Sequence, residues 1–94
     1  MYAQVLREDA TLDGCRALDE VIRDALLPSL RLQEGFCGAM HLVSTRDEEA
    51  MLIVFWETEQ QALDAGMLAA FDALAPGASG QIRTAWIWEV TQRA

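Results

Sequence analysis

The hydrophobic and polar positions of this chain follow two different periods, and the changes of period divide it into six predicted elements. Four segments alternate at every second residue or stay apolar throughout, as β-strands do. Two others place apolar residues three and four positions apart, as amphipathic helices do. Strands are predicted over Tyr2–Arg7, Ala39–Ser44, Ala50–Trp56 and Ile82–Thr91, with helices beginning near Thr11 and Thr58.

Local signals mark the ends of both helices. Thr58 with Gln61 three residues later predicts a capping box at the start of the second helix. Pro28 has no backbone N–H, so it should kink or interrupt the end of the first helix. The second helix is predicted to present one continuous apolar face, formed by Ala62, Met67, Ala70, Phe71 and Leu74.

The resulting order is βαββαβ, which predicts one α+β domain of the ferredoxin-like type spanning residues 1–94. In this sandwich a four-stranded antiparallel sheet carries two helices on one face. The other face is unusual, because Met51, Ile53 and Phe55 are as apolar as the residues they alternate with. A water-facing side should be polar, and exposing such side chains forgoes about 1.5–3 kcal/mol each. We therefore predict a homodimer in which two sheets pack face to face.

Charge and composition narrow the possible partners. Fifteen acidic and seven basic residues give a net charge of −8, which repels nucleic acid and anionic membrane surfaces. No apolar run approaches the ~18 residues of a membrane span, and MYAQVLRED lacks the pattern of a signal peptide. We expect a cytoplasmic protein that binds neither nucleic acid nor membranes. All basic residues are Arg, and the absence of Lys excludes Schiff-base chemistry.

His41 is the only side chain expected to titrate near neutral pH, which makes it the candidate general acid or base. The alternative is a strand histidine satisfied by a backbone or carboxylate partner. Cys37 and His41 lie about 13 Å apart along an extended chain, and no further ligand is evident, so we predict no metal site. The charges on the first helix are predicted to form a solvent-exposed face; they are Asp13, Arg16, Asp19, Glu20, Arg23 and Asp24.

The large apolar side chains form a second candidate site. Aromatic and methionine side chains can line a pocket for a flat hydrophobic ligand. The predicted pocket residues are Trp56, Met67, Phe71 and Trp86. The alternative places them in the core and the dimer interface, and for the pair Trp86 and Trp88 the interface is the first interpretation.

The βαββαβ order, the segment LLPSLRLQEGFCG and the junction FWETEQQALDA together resemble the antibiotic biosynthesis monooxygenase family of the dimeric α/β-barrel superfamily. This resemblance implies a homodimeric α/β barrel with ligand pockets between sheet and helices. Some members oxidise aromatic polyketides without metal or flavin, and others degrade haem. The resemblance to the haem-degrading branch fails, because the chain has no Asn and carries Ala65 or Gly66 where a helical Trp is required. Trp56 matches the strand-end Trp of the family.

The resemblance therefore implies a cofactor-independent monooxygenase-like protein acting on a small aromatic or polyketide-type compound. In that scheme His41 accepts a proton and Arg83 stabilises a developing enolate, with no cofactor. The alternative is a non-catalytic dimeric domain that binds an apolar metabolite or serves as an interaction module. An ACT-like regulatory domain shares the element order, but two apolar sheet faces fit stacked sheets better than side-by-side ones.

Overall fold

The structure is a computed structural model that describes residues 1–9, 12–67, 70, 73 and 82–94. Four strands, three α-helical segments and one π-helical turn have defined bounds within these ranges, and Met67, Ala70 and Ala73 are helical as well. In chain order the bounded elements are β1 (Tyr2–Asp9), α1 (Leu12–Val21), the π turn (Ile22–Leu26), α2 (Leu27–Leu30), β2 (Phe36–Val43), β3 (Glu49–Trp56), α3 (Glu59–Asp64) and β4 (Ile82–Glu89). No helix in the described part of the chain is long and apolar enough to cross a membrane.

The four strands form one antiparallel sheet in the order β2-β3-β1-β4. β2 and β3 form a hairpin, and β1 lies between β3 and β4. The register of β1 against β3 runs without a break from Tyr2 opposite Trp56 to Asp9 opposite Glu49. Against β4 the register shifts between Arg7 and Glu8. The predicted ferredoxin-like α+β fold is confirmed.

One face of the sheet is covered by the helices and forms the core. Alternate residues of β1 and β3 point into this layer, where Leu6, Leu52 and Val54 are fully buried. We call α1, the π turn and α2 together the first helical region. Its residues Ile22, Leu26 and Leu30 cover these side chains. Burying each of these side chains contributes about 1.5–3 kcal/mol to folding, so this layer is the main source of stability.

Trp56 is part of this core. Its side chain is 1% exposed, and its indole Nε1–H donates a hydrogen bond to Oε1 of Gln4 at 3.2 Å. The ring of Phe36 packs edge-on against it, with centroids 6.1 Å apart and an interplanar angle of 76°. Because a buried indole N–H needs a partner, Gln4 makes the burial of this ring possible.

The first helical region continues through Pro28 because the helix forms a wider π turn just before that residue. A proline inside an α-helix cannot donate to the carbonyl four residues earlier, and its ring clashes with that carbonyl. Here the π turn precedes Pro28, and Leu27 N–H donates to Ile22 O, a five-residue step. α2 then begins with Pro28 in its first turn, where no donor is needed. The predicted interruption near Pro28 is confirmed, and it takes the form of a π turn.

The second predicted helix starts as expected and is interrupted at Gly66. Thr58 Oγ1 accepts from Gln61 N–H, and the Gln61 side chain accepts from Thr58 N–H, which completes the capping box. α3 ends at Asp64, and Gly66 adopts a left-handed φ of +59°, but Met67, Ala70 and Ala73 are again helical, so the predicted helix is interrupted at Gly66. Ala62 and Met67 still face the core. Phe71, Leu74 and the segment 75–80 lie outside the described residues.

The other face of the sheet carries large apolar side chains that the helices do not cover. We call it the open face. Its most exposed members are Met40 (48%), Leu42 (47%), Trp86 (38%) and Trp88 (58%). The two indoles contact each other edge-on, with centroids 6.4 Å apart. The predicted second apolar face is therefore confirmed.

Candidate functional site

His41 projects from β2 into the layer between sheet and helices. Its strand partner is Leu52, and its same-face neighbours Ala39 and Val43 pair with Val54 and Ala50. Only 5% of its side chain is exposed. A polar ring buried among aliphatic side chains needs partners of its own, because burial without hydrogen bonds costs free energy.

One partner is Glu8 of β1, a fully buried carboxylate. Glu8 lies two residues beyond Leu6 on the same strand face, and its Oε1 is 3.5 Å from His41 Nε2. This distance makes the contact an ion pair rather than a short hydrogen bond. Neither Glu8 oxygen nor His41 Nε2 has a hydrogen-bond partner among the described residues. The charge of Glu8 is thus compensated chiefly by the imidazole of His41.

The second partner is Asp19 of α1. Its Oδ1 is 2.8 Å from His41 Nδ1, within normal hydrogen-bond distance. Asp19 lies between the buried residues Leu18 and Ile22 in sequence, three positions before the π turn, and its side chain is 51% exposed. The three side chains therefore form a carboxylate–imidazole–carboxylate row that runs from the core to the surface.

The carboxylates of Glu8 and Asp19 shift the pKa of the His41 imidazole. Burial acts first and lowers the pKa of His41, because it disfavours the charged ring. Pairing with Glu8 and then with Asp19 acts in the opposite direction and prevails, so the pKa of His41 is raised above 6.5. In the protonated form the ring donates Nδ1–H to Asp19 and directs Nε2–H toward Glu8.

Cys15 of α1 lies in the same buried region. Its side chain is fully buried, and burial raises the pKa of its thiol, with the charge of Glu8 adding to the effect. The thiolate is the nucleophilic form of cysteine. The environment of Cys15 therefore favours the unreactive thiol.

A cleft of about 240 Å³ opens beside the row, between the first helical region and the β2 edge of the sheet. Its polar end contains Asp19 and His41, and its walls are mostly aliphatic. Arg23 also reaches the cleft, but its guanidinium is bound to the carboxylate of Asp24 at 2.8 and 3.1 Å. The described residues that line it are Asp19, Ile22, Arg23, Leu27, Ala39, Met40, His41 and Leu52.

The predicted pocket residues do not all share one side of the sheet. Trp56 and Met67 are buried on the helix-facing side, at 1% and 2% exposure. Trp86 pairs with Val5 and lies on the open face, so it does not meet Trp56 within one chain. Phe71 is outside the described residues. Arg83 belongs to β4 by its backbone, and its side chain is outside the described part, so its proposed role stays a prediction.

Sequence reasoning found His41 but missed both of its carboxylate partners. Asp19 is on the predicted solvent-exposed helix face and its side chain is 51% exposed, but the helix spacing did not predict that its carboxylate also bonds to His41. Glu8 lies beyond the predicted end of the first strand at Arg7. The available signal was alternation, since Gln4, Leu6 and Glu8 continue one face of β1 into the core.

Comparisons with known proteins report on the fold. No family model matches the chain, and no curated protein matches it. Solved structures do match. A putative antibiotic biosynthesis monooxygenase from Nitrosomonas europaea has a TM-score of 0.72 at 16% identity, covering 96% of this chain and 89% of that one. Another from Bordetella bronchiseptica has a TM-score of 0.74 at 14% identity, covering 97% of both chains.

A third similar structure contains a ligand. It is the ActVA-Orf6 monooxygenase of Streptomyces coelicolor in complex with nanaomycin D, with a TM-score of 0.74 at 20% identity. The match covers 99% of this chain and 89% of that chain. At such identities the likeness concerns the fold. The chain has the fold of the antibiotic biosynthesis monooxygenases, and the resemblance seen in the sequence is confirmed at that level.

Proposed function

We propose that this protein is a cofactor-independent monooxygenase-like enzyme that acts on a small aromatic or polyketide-type compound. The observation that carries the proposal is the Asp19–His41 pair at the polar end of a cleft whose other walls are mostly apolar apart from Arg23. Apolar walls with a few convergent polar groups and a perturbed pKa are typical of a small-molecule site. The shared fold with a monooxygenase that binds nanaomycin D supports the same substrate class.

The proposed chemistry places the redox work on the substrate and O₂. Loss of a proton from an aromatic compound with a methylene next to its ring system gives an electron-rich enolate. O₂ accepts its electrons, and in the net reaction CH₂ and O₂ become C=O and H₂O. The chain contributes an apolar site and an acid–base group, and general acid–base catalysis of this kind provides about 10²–10⁴-fold. Arg83 is proposed to stabilise the enolate, and Phe71 to shape the pocket. Trp56 and Met67 are buried in the core and are not among the described residues that line the cleft, so they would support it from behind.

An oxygen-electrode assay with a dihydroxyanthrone tests this proposal. We expect the wild type to consume one O₂ for each quinone formed, and His41→Gln to lower the rate by about 10²-fold or more. Gln60→Ala on α3 is the control, because its exposed side chain bonds only to Asp64 among the described residues. Equal rates for wild type and His41→Gln would show that the acid–base assignment is wrong.

We also propose that two copies pair through the open face to form a homodimeric α/β barrel. Among the described residues, the exposed large apolar side chains of the open face include two tryptophans, and apolar patches of this kind mark interaction sites. A second identical face is complementary under two-fold symmetry. Light scattering at micromolar concentration should give twice the monomer mass, and Trp88→Glu should give the monomer mass. A monomeric wild type would overturn this proposal.

One observation favours the alternative, a non-catalytic dimeric domain that binds an apolar metabolite. Both ring nitrogens of His41 face carboxylates, as in a histidine held for structural reasons. The same assay separates the two functions, because a binding domain retains the dihydroxyanthrone without O₂ uptake.

A further inference from the structure

The two nitrogens of His41 are both engaged, and this limits what the ring can do directly. Nδ1 bonds to Asp19 at 2.8 Å, and Nε2 faces Glu8 at 3.5 Å. Because both nitrogens face carboxylates and only 5% of the side chain is exposed, the ring does not meet a ligand in the cleft directly, and a proton would pass between the ligand and His41 through Asp19. A ligand that reaches this end of the cleft must therefore contact a different polar group.

Asp19 is the group in position to make that contact. It lines the cleft, and half of its side chain is exposed. One carboxylate oxygen, Oδ1, satisfies His41, so the other oxygen can accept a hydrogen bond from a ligand. The bond to His41 restrains the carboxylate in one orientation, which lowers the entropy lost when a ligand binds.

Glu8 acts on Asp19 through His41. Its carboxylate is fully buried and has no hydrogen-bond partner among the described residues, so it depends on the positive charge of the ring. A charged His41 carries a hydrogen on Nδ1 and can donate it to Asp19. Removing Glu8 would take away the buried anion that favours this state. Glu8 is therefore a positioning residue, and His41 both orients the Asp19 carboxylate and keeps its proposed acid–base role through the bond to Asp19.

The charges around the cleft restrict the ligand. Asp19 is anionic, and among the described lining residues the one cation besides His41 is Arg23, which is bound to Asp24 by two hydrogen bonds. The whole chain carries a net charge of −8. An anionic ligand would meet like charge, whereas a neutral hydroxyl can donate to the carboxylate.

We propose that Asp19 is the ligand-contacting residue of the cleft, that it accepts the O–H of a neutral aromatic hydroxyl compound, and that His41 and Glu8 hold it in place. This inference rests on the proposed function and deepens it, because it names the contact group and the ligand class. It also gives a role to the buried carboxylate of Glu8, which apolar packing alone does not explain.

Calorimetric titration with three probes tests the contact. The probes are 1-naphthol, its methyl ether and 1-naphthoic acid, which differ in hydroxyl donor and charge. We expect the wild type to prefer naphthol to the ether by about tenfold or more, since hydrogen bonds to charged groups are strong, and to bind naphthoate weakest. Asp19→Asn should abolish the preference. The Asn oxygen would accept from His41, which leaves its NH₂ donor facing the ligand, so naphthoate should gain.

The matched control is Glu20→Gln, which removes one negative charge from the exposed neighbour of Asp19 on α1 and should leave the order of the probes unchanged. For the positioning role, Glu8→Gln should lower the pKa of His41 measured by NMR and weaken the naphthol preference, while Glu8→Asp, which keeps the charge, should restore both. If Glu8 only stabilised the fold, the pKa of His41 and the preference for naphthol would not change together.

The outcomes separate this inference from the proposed function. A naphthol preference that survives in Asp19→Asn, or wild type that binds none of the probes, overturns the inference. If Asp19→Asn loses the preference but no dihydroxyanthrone is oxidised by the wild type, the contact stands and the monooxygenase proposal fails. If anthrone oxidation proceeds equally in wild type and Asp19→Asn, the monooxygenase proposal is supported and Asp19 is not the contact residue.

Discussion

The two faces of the sheet have similar apolar residues and very different surroundings. On the helix-facing side Leu52, Val54 and Trp56 are at most 1% exposed. On the open face Trp86 and Trp88 are 38% and 58% exposed. Hydrophobicity therefore does not distinguish the faces; coverage by the chain's own helices does.

The difference matters for chemistry because only the covered face can make charges interact strongly. Glu8 and His41 are withdrawn from water there, and electrostatic interactions are stronger at low effective dielectric. The same residues on the open face of a single chain would be screened by solvent. The covered face thus holds the candidate site, and the open face is the surface proposed for assembly.

Two tryptophans give the largest expected contrast between the faces. Trp56→Ala empties a core position and leaves Gln4 without its partner, so we expect a loss of about 3–5 kcal/mol in the free energy of unfolding at any protein concentration. Trp88→Ala should act through association, so its effect should depend on protein concentration. Urea denaturation at two concentrations measures both. A large, concentration-independent loss for Trp88→Ala would contradict the distinction.

The buried pair on the covered face gives the next test. His41→Leu leaves Glu8 as an uncompensated buried charge, and we expect a loss of about 3–5 kcal/mol. Glu8→Leu combined with His41→Leu removes both charges, and it should recover most of that loss. Denaturant titration of the single and double variants makes the comparison. A double variant as unstable as His41→Leu would show that the pair does not compensate Glu8.

The pH dependence of stability follows from the same pair. The pKa of His41 is raised in the folded state, so its contribution is fully present below its unfolded pKa and is lost as pH rises through the folded pKa. Each unit of elevation corresponds to about 1.4 kcal/mol. Thermal unfolding from pH 5.5 to 8.5 should therefore show a decline that is absent in the double leucine variant. An equal decline in both proteins would assign it to other groups.

A smaller effect is expected at two glycines with left-handed backbones. Gly35 has a φ of +86°, and a Cβ there would collide with the Gln61 side chain that caps α3. Gly66 has a φ of +59° and open space around it. Gly66→Ala should cost about 1 kcal/mol, and Gly35→Ala about 1–2 kcal/mol more, because the cap is also lost. Chemical denaturation compares them, and equal losses would mean that Gln61 moves aside freely.

The sequence predicted most of the fold because the fold depends on periodicity. The strands of the sheet and the capping box at Thr58 all follow from local pattern, and the apolar run through β3 correctly indicated two apolar faces. The break at Gly66 was missed, because the apolar spacing continues past Gly66 and the described residues beyond it are helical again, although the Gly66 backbone turns left-handed. Local spacing does not show where a helix breaks when both sides of the break face the same core.

The site was only partly predictable for a different reason. His41 stands out as the single histidine, but its partners come from β1 and α1, and no spacing in the sequence reports such long-range contacts. Asp19 resembles its exposed neighbour Glu20 in every local respect. It differs only because α1 packs beside β2 and brings its carboxylate to the imidazole.

The most direct test of the Glu8–His41–Asp19 site is the pKa of His41 in the folded protein, measured by NMR across a range of pH. His41 is the only histidine, so its imidazole signals need no separation from others. We predict that the pKa of His41 lies above 6.5 in the wild type and is lower in Glu8→Gln. A wild-type pKa at or below 6.5 would mean that the two carboxylates do not outweigh burial, and it would contradict the site described on the covered face.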